Sequence, residues 1–144
     1  MADSMELRLR VVLADPLPGV RYCLQRTSRA DCVDHKSSGA SDLAFDLTVK
    51  VKPAGDAFDY HGPFVQGRRG ERYVAILIGT LAGEADSCWT RAVKIHLSPI
   101  PSATVESALN RADVVLTARF PGRAKSGGPS CASIRPLDNG WRAA

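Results

Sequence analysis

No stretch of this chain approaches the roughly 20 consecutive apolar residues that cross a bilayer. The opening Met1-Ala-Asp-Ser-Met-Glu6 has neither the positive n-region nor the apolar h-region of a secretory signal. A membrane role is disfavoured, and the expected location is cytoplasmic. No CxxC pair occurs among the four cysteines, Cys23, Cys32, Cys88 and Cys131, which argues against a structural zinc site. In a reducing compartment they are expected as free thiols. His35, His61 and His96 stand at no metal-ligand spacing, so no metal is expected. Aromatic residues make up only 6% of the chain and there is no run of like charge. Nucleic acid is therefore disfavoured as a partner, because its recognition calls for clustered cations with aromatics to stack bases.

What is there suits a packed globular chain. Of 144 residues, 44% are hydrophobic and 24% charged, close to the averages for folded proteins. The formal net charge of +4 is spread out: residues 1–72 hold 11 basic and 10 acidic groups, and the rest hold 8 and 5. With no internal repeat and no shift in composition, a single domain over 1–144 is expected.

The dominant signal is a period of two. Leu7, Leu9, Val11 and Leu13 alternate with Glu6, Arg8 and Arg10, which places apolar groups on one sheet face and charges on the other. Asp15-Pro16-Leu17-Pro18-Gly19 ends that strand, and Val20, Tyr22 and Leu24 resume it. Residues 26–42 have little to bury and read as a mobile loop. Leu43, Phe45, Leu47, Val49 and Val51 form the cleanest amphipathic strand, and Pro53-Ala54-Gly55-Asp56 turns after it. Phe58 to Gly67 is rich in aromatics and glycine and has no clear assignment, and Gly67-Arg68-Arg69-Gly70 reads as a hairpin tip. Tyr73 to Ile78 is apolar on both faces, as a covered central strand should be.

Gly83 to Ser87 makes a turn into a strand from Trp89 to Leu97. Ser102 is placed to cap a short helix at about 102–112, the natural cover for the central strand. Val114 to Phe120 is a sixth strand, 121–129 a loop, and Ser130 to Ile134 a short edge strand before a polar tail at about 135–144. The expected fold is mainly β with some helix (α+β): a curved antiparallel sheet, or a partly closed β-barrel, of about six strands with one helix packed on it.

Gly62-Pro63-Phe64-Val65-Gln66-Gly67, Glu71-Arg72-Tyr73-Val74, Arg91-Ala92-Val93-Lys94-Ile95 and Gly127-Gly128-Pro129-Ser130-Cys131-Ala132 follow one another in this order over most of the chain. Together they resemble a family of small bacterial proteins known only as a domain of unknown function. The resemblance implies a bacterial, stand-alone, single-domain protein and carries no chemistry.

Three constellations of residues have chemical potential. Arg72, Arg91 and Lys94 could fix an anion if the strands carrying them pair, with solvated surface charges as the plainer alternative. Arg91 shares an apolar face with Trp89, Val93 and Ile95, so it needs a carboxylate, an aromatic face or a ligand. Asp59, Tyr60 and His61 sit between glycines and prolines, and Asp59 could orient His61 for acid and base work. An aromatic loop packed over a barrel end explains the same residues. Cys131, after Gly127-Gly128-Pro129-Ser130, is a nucleophile if a neighbouring cation lowers its pKa, or else a small buried hydrophobe. The glycines match neither a P-loop nor a dinucleotide fingerprint, so no cofactor is expected.

These residues lead to a domain binding a small molecule, with an anion as one candidate, or to a cofactor-independent enzyme, with a pocket at the open end of the sheet. Its catalytic candidates are His61, Asp59 and Cys131, and its ligand-binding candidates are Tyr60, Arg72, Arg91 and Lys94. The competing expectation is a protein-interaction or self-association module, for which a homo-oligomer is the natural form.

Overall fold

The computed structural model describes residues 5–16, 21–25, 32–36, 42–67, 71–79, 91–111, 114–122, 131–137 and 140–143. Ten strands and one helix run through them: β1 (Met5–Ala14), β2 (Arg21–Gln25), β3 (Cys32–Lys36), β4 (Leu43–Ala54), β5 (Ala57–His61), β6 (Tyr73–Gly79), β7 (Arg91–His96), α1 (Ser102–Leu109), β8 (Val115–Pro121), β9 (Cys131–Ser133) and β10 (Arg142–Ala143). They form two five-stranded sheets, in the orders β10-β8-β1-β4-β5 and β3-β2-β6-β7-β9. Among the described residues the protein is mainly β with one short helix, and the sheets do not close into a barrel.

The two-residue period carries the packing. Leu7, Leu9, Val11 and Leu13 of β1 and Phe45, Leu47, Val49 and Val51 of β4 project from the first sheet into one core. From the second sheet Tyr22, Leu24, Val74, Ile76, Val93 and Ile95 enter the same core. The sheets therefore pack face to face, each side chain of this kind contributing about 1.5–3 kcal/mol of apolar burial. Register is fixed by that burial: Leu9 faces Leu47 and Val11 faces Phe45 across β1 and β4. A slip of one residue would turn both rows out to solvent.

Several expectations need correction. The strands divide between two sheets, and although most pairings are antiparallel, β1 pairs with β8 and β7 with β9 in parallel. The segment read as a mobile loop holds β3, which pairs antiparallel with β2 through Leu24–Val33 and Cys23–Asp34. Its strand character comes from that partner, since its own sequence alternates poorly. Phe58 to His61 belongs to β5, which pairs with the end of β4. The polar tail supplies β10 and Trp141, whose ring meets Phe120 edge-on at 5.7 Å.

Ser102 makes no cap; Pro101 holds that position, and its carbonyl accepts from the amides of Thr104 and Val105. Val105 and Ala108 bury the helix in the core, where its main contact is with β1 and not the expected β6. Cys23 is buried and disulfide-bonded, contrary to the expectation of free thiols. The expected hairpin tip at 68–70, the turn at 83–87, Trp89 and the glycine pair before Cys131 lie outside the described residues. Among the described residues no helix is long and apolar enough to cross a membrane.

Candidate functional site

The same alternation that builds the core sends Glu6, Arg8 and Arg10 to the outer face of the first sheet. Register then sets Glu6 opposite Lys50, Arg8 opposite Thr48 and Arg10 opposite Asp46. Arg10 donates from Nε to Asp46 Oδ1 at 2.6 Å and from Nη2 to Oδ2 at 3.3 Å, a two-pronged pair on an exposed face. That bond and the charge of Asp46 raise the pKa of Arg10 above its ordinary value. Farther along the face Arg119 pairs with Asp42 at 3.1 Å. Arg8 and Lys50, by contrast, make no ion pair among the described residues.

A turn after β5 converts this flat row into a concavity. Gly62 adopts φ +128°, a conformation that side chains resist, and the amide of Val65 donates to its carbonyl at 3.2 Å. The chain thereby folds back beside Lys50, the backbone nitrogen of which lies 3.6 Å from where a Cβ on Gly62 would stand. Val65 is drawn into the core and Phe64 packs half-buried against it. Gln66 then exchanges backbone hydrogen bonds with Tyr73 at 2.7 and 3.1 Å, which anchors the turn to the second sheet. The result is an open concavity of about 620 Å³ lined by Arg8, Thr48, Lys50, Glu6 and the Arg10–Asp46 pair, with Pro63, Phe64 and Val115 as apolar surface.

The residues singled out from sequence fall elsewhere. Arg72 donates from Nε to the backbone carbonyl of Tyr60 at 3.0 Å and approaches Asp59 Oδ1 at 3.4 Å. Asp59, Tyr60 and Arg72 are thus brought together, as a clasp between β5 of one sheet and the entry to β6 of the other. The Tyr60 side chain is core, 3% exposed, and burial pushes its phenol up to about 12. His61 faces Lys50 across β5 and β4. Lys94 lies on the outer side of the second sheet, 3.9 Å from Glu71 and over the ring of Tyr73 at 4.7 Å. His96 stacks obliquely on the same ring.

Arg91 and Cys131 have described backbones, in β7 and β9, and their side chains lie outside the described residues. None of the other five lines the concavity beside Phe64 or the two grooves flanking α1. Among the described residues no group of three His, Cys, Asp or Glu side chains is placed to hold a metal ion.

Arg8, Lys50 and Thr48 were not singled out from sequence because charges alternating along a strand are the ordinary signature of a solvent face. The signal available was Gly62-Pro63-Phe64, a turn with an aromatic residue next to a strand end. What it covers depends on register, which is a long-range property.

Among curated proteins and among solved structures nothing matches this chain. Residues 7–144 do match a family, and they span β1 to β10 together with the Gly62–Phe64 turn. The chain belongs to the family of unknown function DUF5990.

Proposed function

We propose that this protein binds a small anionic molecule on the outer face of its first sheet, in the concavity under the Gly62–Phe64 turn. The observation that carries the reading is an imbalance. Arg10 is matched by Asp46, whereas the neighbouring Arg8 and Lys50 have no ion-pair partner among the described residues and border the same hollow. Paired cations on an exposed strand need no further explanation, but two without ion pairs, beside a hydroxyl and an aromatic wall, form a recognisable acceptor for negative charge. Arg8 offers a planar fork of donors, Lys50 a compact charge, and Thr48 a hydroxyl that donates or accepts.

The site differs from the sheet-end pocket expected from sequence, while the class of ligand is the same. Asp59 and Arg72 occupy each other, so this reading gives them a structural role and assigns no catalysis to the clasp.

The test is a titration followed by amide NMR at low ionic strength, with sodium benzoate and sodium phosphate as probes and sodium chloride as control. Binding should move the resonances of residues 6–10, 46–50 and 63–65, and the double variant Arg8→Gln/Lys50→Gln should lose at least tenfold in affinity while keeping its fold. If both probes leave those resonances where chloride leaves them, the proposal is wrong.

A further inference from the structure

Resting on the anion-binding reading above, we infer that the ligand is a monoanion with a flat apolar body, of the aryl or heteroaryl carboxylate class, and not a phosphate ester or nucleotide. Three features of the concavity select this class.

The first is charge. Arg10 and Asp46 neutralise each other at 2.6 Å, and Glu6 offsets one of the two remaining cations, so among the described residues the lining carries a single positive charge. One negative charge on the ligand completes it. A nucleoside diphosphate would bring two or three and would set the surplus against Glu6, which faces Lys50 directly across β1 and β4. Like charges held close together discriminate against a ligand as effectively as missing contacts do.

The second is the kind of donor present. Phosphate sites are typically built from backbone amides, in glycine-rich loops or at helix N-termini. Among the described residues this lining contains no glycine and no residue of α1. Its donors are side chains, and the guanidinium of Arg8 matches the two oxygens of a carboxylate in one plane.

The third is the wall. Pro63, Phe64 and Val115 offer hydrocarbon beside the cations. Because Phe64 is partly buried against the core, its place is fixed by packing before any ligand arrives. An aromatic body gains from contact with such a ring, in an offset or edge-on arrangement, and acetate or inorganic phosphate has nothing to place there. The volume, about 620 Å³, suits a ligand of one or two rings.

The experiment compares the sodium salts of 1-naphthoate, cyclohexanecarboxylate, acetate, inorganic phosphate and ADP at one ionic strength, by calorimetry and by amide NMR on the full chain. Naphthoate should bind at least tenfold more tightly than acetate or ADP and perturb Arg8, Thr48, Lys50 and Phe64. Phe64→Leu, checked for an unchanged fold by its spectrum, should weaken naphthoate fivefold or more and leave acetate as it was. Glu6→Gln should narrow the preference for naphthoate over ADP by threefold or more, because it removes the repelling charge.

Tighter binding of ADP or phosphate at these same residues would overturn the class and leave the anion site standing. Naphthoate binding elsewhere on the molecule would overturn the inference as well. Should no anion perturb these residues, the site itself falls, and the inference with it.

Discussion

Tyr22 on β2 donates its hydroxyl to the backbone carbonyl of Gly122 at 2.9 Å, a buried hydrogen bond joining the second sheet to the chain just beyond β8 of the first. Tyr22→Phe leaves that carbonyl buried without its donor, at a cost of about 1–2 kcal/mol. Urea unfolding should show the midpoint falling with the slope unchanged; a midpoint equal to the parent's would remove the bond from the account of stability.

Gly122 is held there by a close approach to β1, its amide donating to Ala14 O at 2.7 Å. A Cβ at this position would stand 2.5 Å from the same oxygen and 3.1 Å from Pro16 Cα. Gly122→Ala should therefore destabilise by about 1–3 kcal/mol, the usual penalty for overpacking. Calorimetry can decide, and an unchanged melting temperature would mean that the seam yields more easily than its geometry indicates.

In the Arg72 clasp Nε serves both partners, donating to the Tyr60 carbonyl at 3.0 Å and lying 3.4 Å from Asp59 Oδ1, so geometry and charge act together. Arg72→Ala should cost about 1–2 kcal/mol, and Arg72→Lys should recover less than half of it because an ammonium has no matching planar geometry. Amide hydrogen exchange in β5 should accelerate in both variants. Full recovery by lysine would reduce the clasp to simple charge.

Tyr60 makes stability sensitive to alkali. Burial disfavours its phenolate, so the folded chain holds the proton up to about 12 while the unfolded chain releases it near the ordinary value of 10.0. Below pH 10 this contribution is complete. Between pH 10 and 12 it should decline by about 1.4 kcal/mol per pH unit, because the unfolded state then binds fewer protons than the folded one. Tyr60→Phe should flatten that decline in urea midpoints measured at successive pH values, and parallel curves for the two proteins would show that the phenol is not the cause.

The disulfide at Cys23 predicts that, in denaturant without reductant, fewer than four thiols react with a thiol reagent. A reductant should restore all four and lower stability by about 2–4 kcal/mol, as removal of a cross-link does. Four reactive thiols before reduction would contradict the bond.

The parts of the fold legible in the sequence were those where one strand reports its own environment. In β1 and β4 every second residue is apolar, and every one of those from Leu7 to Leu13 and from Phe45 to Val51 is buried. Cys32-Val33-Asp34-His35-Lys36 has no such pattern, and it is a strand because Tyr22 and Leu24 offer it a hydrogen-bonding edge. Trp141 looked like part of a polar tail, since a single indole gives no periodicity, yet it caps Phe120. The concavity was hidden for a related reason. Arg8 is far in sequence from Thr48 and Lys50, and only the pairing of β1 with β4 makes them neighbours.

The place of β1 has a consequence for biosynthesis. It lies between β4 and β8, and its Leu9 sits beside Leu116, near the opposite end of the sequence. On a translating ribosome β1 emerges early and can pair with β4, but one hydrogen-bonding edge stays open until β8 is made, and β7 waits in the same way for β9. Completion of both sheets thus waits until β8 and β9 have been made. Such distant pairings slow folding and leave a nascent chain with uncovered strand edges, the state in which it most needs a chaperone.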